Sequence, residues 1–280
     1  MPSPTVTIGV ANYGGVSMAW AQHTATMINS FSNYGITYGG YVTANSMAAD
    51  INRNDIVKTF LESKSDYLFF IDADNLVPFG GLRRLLDAGK EVITGLYFLK
   101  REPHTPIAYW KNEQLRGYEP IHDYNRGELV PIAMAGMGAT LIYRGVFEEI
   151  QNNYEVFQRA NGSLFPIHKA LVKSGGYSNK DDKPYVENGY LVEPVRKAQL
   201  GKEPWPHFYL EYGRTEDVVF YEHCVELGIQ PYVDTSVECP HIGNYEYNGK
   251  DYRNSLKVTK EKRKREVVEM DTTIIEAKNG

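Results

Sequence analysis

The sequence predicts an α/β fold with a largely parallel sheet, and three observations point there. Strand-like and helix-like segments alternate through the first hundred residues, the pattern of an α/β layer. One strand segment, Tyr67-Leu68-Phe69-Phe70-Ile71, is apolar throughout, as expected of a strand covered on both faces. The chain has 280 residues, 42% hydrophobic and 23% charged, enough to bury a core without disulfide or metal staples.

Each element has its own reason. Thr5 to Ala11 is rich in β-branched residues and stops before Gly14-Gly15, so it reads as the first strand. Val16 to Phe31 carries Met18, Ala21, Ala25 and Ile28 at helical spacing. Ile36 to Val42 is the second strand. Ile51 to Leu61 puts Ile56, Val57, Phe60 and Leu61 on one helical face. After the apolar strand come a helix, Leu82 to Ala88, and a strand, Glu91 to Phe98. The second half is less regular. Ile132 to Tyr143 reads as two short strands around Gly136-Met137-Gly138, with a helix near Val146 to Ile150. Residues 160–206 are rich in Gly, Lys, Asp and Pro and read as a long functional loop. Thr215 to Leu227 is a helix with Phe220, Cys224 and Leu227 as its apolar stripe.

Composition excludes several classes. Thirty Lys and Arg against 35 Asp and Glu give a formal net charge of -5, without the basic excess of a dedicated nucleic-acid binder. No apolar run is long enough to span a membrane, and Met1-Pro2-Ser3-Pro4 lacks the plan of a secretory signal. Cys224 and Cys239 form no CxxC pair or disulfide framework. A cytoplasmic location is expected.

Parallel sheets bind ligands outside the carboxyl ends of their strands, so chemistry is sought after Ala11, Ile71 and Phe98. Asp72-Ala73-Asp74 stands directly after the apolar strand. Residues i and i+2 of an extended chain point the same way, so both carboxylates are expected to face one point. Like charges that close call for a cation between them, and oxygen ligands suit Mg²⁺ or Mn²⁺. The alternative is a solvated loop in which Asp74-Asn75 caps the next helix.

Arg53-Asn54-Asp55, the run Asp66 to Asp74, and Val92-Ile93-Thr94-Gly95-Leu96-Tyr97 together resemble the donor-binding half of GT-A fold glycosyltransferases, above all the family 2-like enzymes of bacteria and phages. Tyr212 to Phe220, with its Glu216-Asp217 pair, resembles that family's acidic motif at the start of a helix beneath the acceptor. Ala135-Gly136-Met137-Gly138-Ala139 resembles its small-residue segment against the sugar, and Cys239-Pro240-His241-Ile242-Gly243 its late histidine. The resemblance covers roughly residues 5–245 and implies a single GT-A type domain with a mixed, mostly parallel central sheet flanked by helices. It divides the chain into residues 1–110 for the nucleotide sugar, 111–245 for the acceptor, and a charged extension over 246–280.

By that resemblance Asp74 ligates the metal, with Asp72 on the ribose and the outer coordination sphere and His241 closing the site around Mn²⁺ or Mg²⁺. Ala11, Asn12, Tyr13, Arg53, Asp72, Ala73, Gly136 and Gly138 face the donor, a UDP-sugar by expectation. Asp217, beside Glu216, is the base that activates the acceptor hydroxyl, with inversion at the sugar carbon. Arg101 and Trp205 stand on the acceptor side; Tyr97 and Lys100 are near enough to meet either substrate. The acceptor is a glycan or a hydroxylated phage DNA base.

Plainer readings stand beside these. Asn12-Tyr13-Gly14-Gly15 is also an ordinary turn, and Thr215 an ordinary N-cap with acids in the first turn. His241 is also read as structural, and Arg53 as pairing with a neighbouring acid. Lys257 to Arg265 is a basic run, read either as a solvated helix face, as a surface for an acidic partner, or within an extension that docks on another subunit. Two other functions remain open: an inactive nucleotide-sugar-binding module and a metal-dependent nucleotidyltransferase.

Overall fold

The computed structural model describes residues 3–114, 117–159, 161–173, 185–187, 190–192, 196–211, 213–243, 246–250, 252–254 and 256–257. Its first part alternates as expected: β1 (Thr5–Ala11), α1 (Met18–Asn29), β2 (Thr37–Ala44), α2 (Ala49–Glu62), β3 (Tyr67–Ile71), α3 (Gly81–Asp87) and β4 (Val92–Leu96). Short strands β5 (Ala108–Asn112), β6 (Gly117–Pro120), β7 (Leu129–Pro131) and β8 (Met134–Ala135) lead to β9 (Ala139–Tyr143) and α4 (Arg144–Asn153). Next come β10 (Tyr154–Gln158), β11 (Leu164–His168), α5 (Lys169–Lys173), β12 (Tyr185–Glu187), β13 (Tyr190–Val192) and β14 (Arg196–Lys197). The last described elements are α6 (Glu216–Glu226), β15 (Tyr232–Glu238), β16 (His241–Ile242) and β17 (Glu246–Tyr247).

The central sheet has seven strands in the order β2-β1-β3-β9-β4-β15-β7. β1 runs parallel to β2 and β3, and β15 parallel to β4. β9 is antiparallel to both β3 and β4, and β7 to β15. The sheet is therefore mixed and mostly parallel, as a single GT-A-like domain requires. Because β9 reverses between them, β3 and β4 point the same way. The carboxyl ends of five strands thus share one edge, and the Gly136–Gly138 segment that enters β9 arrives at that edge too.

Alternation along β3 shows how the layers form. Leu68 and Phe70 join the core formed with Ile56 and Phe60 of α2, Phe147 of α4 and Phe220 of α6. Phe69 and Ile71 join the opposite core with Trp20 and Met27 of α1 and Leu82 and Leu85 of α3. All four are buried, which explains why no polar residue interrupts this strand. The turn that leads from α2 into β3 is held by Arg144. Its guanidinium donates to the carbonyls of Phe60, Leu61, Ser63 and Ser65 at 2.8–3.1 Å, satisfying the orphan acceptors at the end of α2.

The irregular stretch of 160–206 is not all loop: β11 and β14 pair with β10 on either side. Those strands carry Pro166, Lys197 and other residues that mask their period in the sequence. Beyond residue 245 the chain still packs on the domain. Tyr252 is buried and stacks on Phe98, with centroids 5.0 Å apart. Residues 258–265 of the basic run lie outside the described residues. No helix among the described residues is long and apolar enough to cross a membrane.

Candidate functional site

The acids that follow β3 are held by backbone. Asp72 donates its N–H to Gly138 O at 3.1 Å, and its carbonyl accepts the indole N–H of Trp20 at 2.9 Å. Leu76 N–H donates to Pro240 O at 2.9 Å and Ile242 N–H to Asp74 O at 2.6 Å. The loop is thus clamped between the entry to β9 and strand β16. It is not extended, however: Asn75 N–H donates back to Asp72 O at 3.1 Å, closing a turn. The period-2 expectation fails here for that reason, and the two carboxylates take different partners.

Asp72 faces Arg53, with Oδ1 3.8 Å from Nη1. Arg53 comes from α2, only 5% exposed, between the rings of Phe70 and Phe208, each 5.9 Å from its guanidinium carbon. Its Nε lies 3.4 Å from Glu216 Oε1 and 3.2 Å from Asp217 Oδ1. Burial opposes the charge on Arg53, but Asp217, Asp72 and Glu216 outweigh it and raise its pKa. The arginine is therefore neither on a helix surface nor paired with a sequence neighbour. It is the buried counterion of three carboxylates brought from two strand and helix ends.

Glu216 and Asp217 form the first turn of α6, with Thr215 as N-cap residue; its side chain makes no capping bond. Asp217 accepts the backbone N–H of Met137, and burial pushes its pKa up to about 7; Arg53 pulls the other way, and Glu216 and Asp72 add to the rise. Burial also raises Asp72. Two like-charged acids and a poor share of solvent thus favour the protonated form of Asp217.

Asp74 is the opposite case. Lys100 Nζ pairs with its Oδ2, and His241 Nε2 lies 3.4 Å from Oδ1. Burial acts to raise its pKa, yet the hydrogen bonds from His241 and Lys100 bring it down to about 2. His241 is fixed by β16: Nδ1 sits 2.8 Å from Phe98 O, and since a carbonyl can only accept, Nδ1 carries the proton. The edge of Tyr97 packs on the imidazole, 5.3 Å between centroids.

Glycines let the chain pass between these groups. Gly138 N–H donates to Tyr97 Oη at 3.0 Å. A Cβ on Gly138 would collide with the amide of Asn75 and stand 3.1 Å from Asp72 Oδ2; one on Gly136 would collide with Tyr97 Oη. The segment thus touches Asp72 through Gly138 and Asp217 through Met137.

The other expected residues are distributed unevenly. Ala11 ends β1, buried, and Ala73 packs beside the α1 face of the core. Asn12 Oδ1 accepts the N–H groups of Gly14 and Gly15 at 3.2 and 2.9 Å, so the turn reading accounts for its side chain. Tyr13 is 53% exposed, and its phenol feels Arg53, Glu216, Asp72 and Asp217 together, placing it over the cluster; burial is the main cause of its raised pKa. Arg101 is exposed; its charge is felt by Tyr109. Trp205 is half-buried, its ring on His207 with 4.5 Å between centroids, and Pro206 after it is buried. Asn75, read in the sequence only as a helix cap in a solvated loop, is instead fully buried with both amide atoms unpartnered among the described residues, and Trp20 was missed. Neither carried a signal beyond its neighbours.

With Nδ1 on Phe98 O, His241 turns Nε2 toward Asp74 Oδ1. Their separation of 3.4 Å is near that of two ligands of one cation, since metal–ligand bonds of about 2.1 Å at right angles put donors roughly 3 Å apart. Among the described residues no three His, Cys, Asp or Glu side chains are grouped to hold an ion alone. Asp74 and His241 are the two side chains here that could hold a cation, which would need further ligands from outside the chain.

No protein-family model and no curated protein matches the sequence. Among solved structures, A197 from STIV aligns over 86% of each chain with 17% identity and a TM-score of 0.47. A glycosyltransferase involved in glycosylation of the major capsid of PBCV-1 aligns with 12% identity over 52% of this chain and 63% of that one, at a TM-score of 0.29. A Bacillus anthracis protein described as a glucose-1-phosphate thymidylyltransferase aligns with 12% identity over 53% and 74%, at 0.28. At such TM-scores these likenesses carry no argument. The chain's own side chains do.

Proposed function

We propose that the chain is a metal-dependent glycosyltransferase, moving a sugar from a nucleotide sugar, a UDP-sugar by preference, to an acceptor hydroxyl. The observation that carries this reading is where Asp217 stands: its Oδ1 lies 3.2 Å from Arg53 Nε, in the same cluster as the strand-end Asp72, and burial pushes its carboxyl up to about 7. A base works best when its pKa lies near the operating pH. Asp217 takes the proton of the acceptor hydroxyl as the oxygen attacks the sugar carbon, and direct displacement with inversion follows. Tyr13 covers the cluster from the donor side, and Gly136 and Gly138 let the backbone approach the sugar. Asp74 and His241 would hold Mn²⁺ or Mg²⁺, which supplies charge neutralisation of the leaving diphosphate.

The test is release of nucleoside diphosphate from a panel of nucleotide sugars with Mn²⁺, onto water or onto acceptor pools of glycan and hydroxylated DNA. A donor that binds but is never cleaved indicates an inactive binding module. Consumption of a nucleoside triphosphate with release of pyrophosphate indicates a nucleotidyltransferase. Either result would replace this reading.

A further inference from the structure

The two acids after β3 each have a cation of their own, and the two cations differ in kind. Asp72 faces Arg53, which is packed between two rings and divides its fork among three carboxylates. That guanidinium is held in place. Asp74 pairs through Oδ2 with the ammonium of Lys100, and both partners are half-exposed, at 42% and 36% of their side chains. An ammonium on four methylenes is a compact charge with rotatable donors, so Lys100 can swing away without any movement of the backbone.

That backbone is fixed by the same segment that builds the rest of the site. Beyond β4 the chain makes a turn closed by Leu99 N–H to Thr105 O and Ile107 N–H to Tyr97 O, both at 2.9 Å. Along its first arm, Tyr97 Oη accepts the N–H of Gly138, Phe98 O holds His241 Nδ1, and Lys100 reaches Asp74. The arm that turns His241 toward Oδ1 thus also sets a positive charge on Oδ2 of the same carboxylate. A divalent ion taken by Oδ1 and Nε2 would have to share Asp74 with that ammonium. Like charges so close repel unless an anion joins them.

We infer that Lys100 is a tethered counter-cation, which keeps divalent ions off Asp74 until a nucleoside diphosphate arrives and then turns to the oxygens of that diphosphate. The inference rests on the transferase reading above for the identity of the anion. A lysine serves phosphate as a point charge, so the same head group suits both partners. Hydrogen bonds from His241 and Lys100 bring the Asp74 carboxyl down to about 2, so the acid is ionised before any metal binds. An isolated surface ion pair contributes little. What sets this pair apart is that its acid also faces His241, on an arm anchored at Tyr97 and Leu99.

The test measures Mn²⁺ binding to the full chain from the electron spin resonance of the free ion, with and without UDP. Lys100→Met keeps the length of the side chain without its charge. Without UDP it is expected to bind Mn²⁺ about tenfold more tightly than the native chain. Lys100→Arg, which keeps the charge, is expected to bind the ion as weakly as the native chain. So is Arg101→Gln, which removes the next charge along, at an exposed position. With UDP present the gap between Lys100→Met and the native chain is expected to close, and Lys100→Met to bind UDP more weakly by about fivefold. Unchanged Mn²⁺ affinity in Lys100→Met, an equal gain in Arg101→Gln, or no Mn²⁺ binding by any of these chains overturns the inference. So does native UDP binding that ignores Mn²⁺ and is lost in Lys100→Met, since the lysine would then replace the ion instead of yielding to it. Cleavage of nucleotide sugars is scored separately. Cleavage by the native chain with unchanged Mn²⁺ affinity in Lys100→Met rejects the role of Lys100 alone. The expected Mn²⁺ and UDP pattern without cleavage of any nucleotide sugar rejects the transferase reading alone.

Discussion

Asp74 and Asp217 are the same residue type at the same edge of one sheet, yet their environments part them by several units. Asp74, with 42% of its side chain exposed, is surrounded by donors and pulled down to about 2. Asp217, with 17% exposed, shares a single cation with two other acids and is pushed up to about 7. The first stays an anion at every working pH, fit to hold a cation. The second is poised to take a proton. Separating two carboxylates in this way is how one site assigns ligand and base from identical chemistry.

Removing the base should break that division most severely. Asp217→Asn keeps the shape of the side chain and its contact to Met137 N–H but cannot take a proton. Transfer is expected to fall by about 10²–10⁴, the usual contribution of a positioned base, with donor affinity held within about threefold. In the native chain kcat/KM should rise with pH and level off above about 7; the variant should lack that limb. Near-native transfer by Asp217→Asn, measured as initial rates across pH, would remove Asp217 from the reaction.

Arg53 is the second lever, because it joins the two regions. Arg53→Ala leaves three carboxylates around a buried vacancy, and stripping one partner from a buried ionic group costs about 3–5 kcal/mol. Urea unfolding should show this loss. Arg53→Lys keeps a charge but not the fork that reaches both Asp72 and α6. Since Arg53 lowers the pKa of Asp217, the lysine variant should move the activity limb to higher pH. A limb that stays in place would mean that Arg53 does not set the base.

Much of this was legible in the sequence, for identifiable reasons. β3 showed itself because burial on both faces leaves no polar residue, and the strand end then located Asp72 and Asp74. Asp217 was singled out by the resemblance of Tyr212 to Phe220 to a family motif, since acids in the first turn of a helix would by themselves be ordinary. What failed to show was partnership. The turn closed by Asn75 N–H cancels the period-2 argument, so the split between Asp72 and Asp74 depends on a backbone bend that no spacing records. Arg53 reaches acids 163 residues away, and that distance is set by tertiary packing of α2 on α6. The mixed sheet is similar: β9 looks like any short strand, and only its pairing reveals that it runs against β3 and β4. Trp205 was expected on the acceptor side, but its ring packs on His207, a contact that no spacing in the sequence records.

Stability against pH should sharpen the contrast, because the two aspartates carry opposite signs. Asp217 has a folded pKa above its unfolded value near 3.8. Between about pH 4 and 7 the folded chain holds the extra proton, so this group's contribution is complete below pH 4 and is lost as pH rises through 7. Asp217→Asn removes that loss. It should be more stable than the native chain at pH 8, by at most about 4 kcal/mol, and equal to it at pH 4. Thermal melts at the two pH values check this, and a variant less stable at pH 8 would mean that Arg53 outweighs burial.

Asp74 should give the smallest effect, with the opposite slope. Its folded pKa, about 2, lies below the unfolded value, so its contribution is complete above about pH 4 and lost as pH falls toward 2. The carboxylate is partly exposed, and solvent screens its pairs with Lys100 and His241. Asp74→Asn should therefore cost only about 0.5–1 kcal/mol at pH 7, and the difference from the native chain should vanish at pH 2. Its larger consequence lies in metal binding: the same variant should lose the rise in melting temperature that Mn²⁺ gives the native chain with a UDP-sugar. A full Mn²⁺ response in Asp74→Asn would separate the low pKa from metal holding, and the ion would then have to be assigned to other donors.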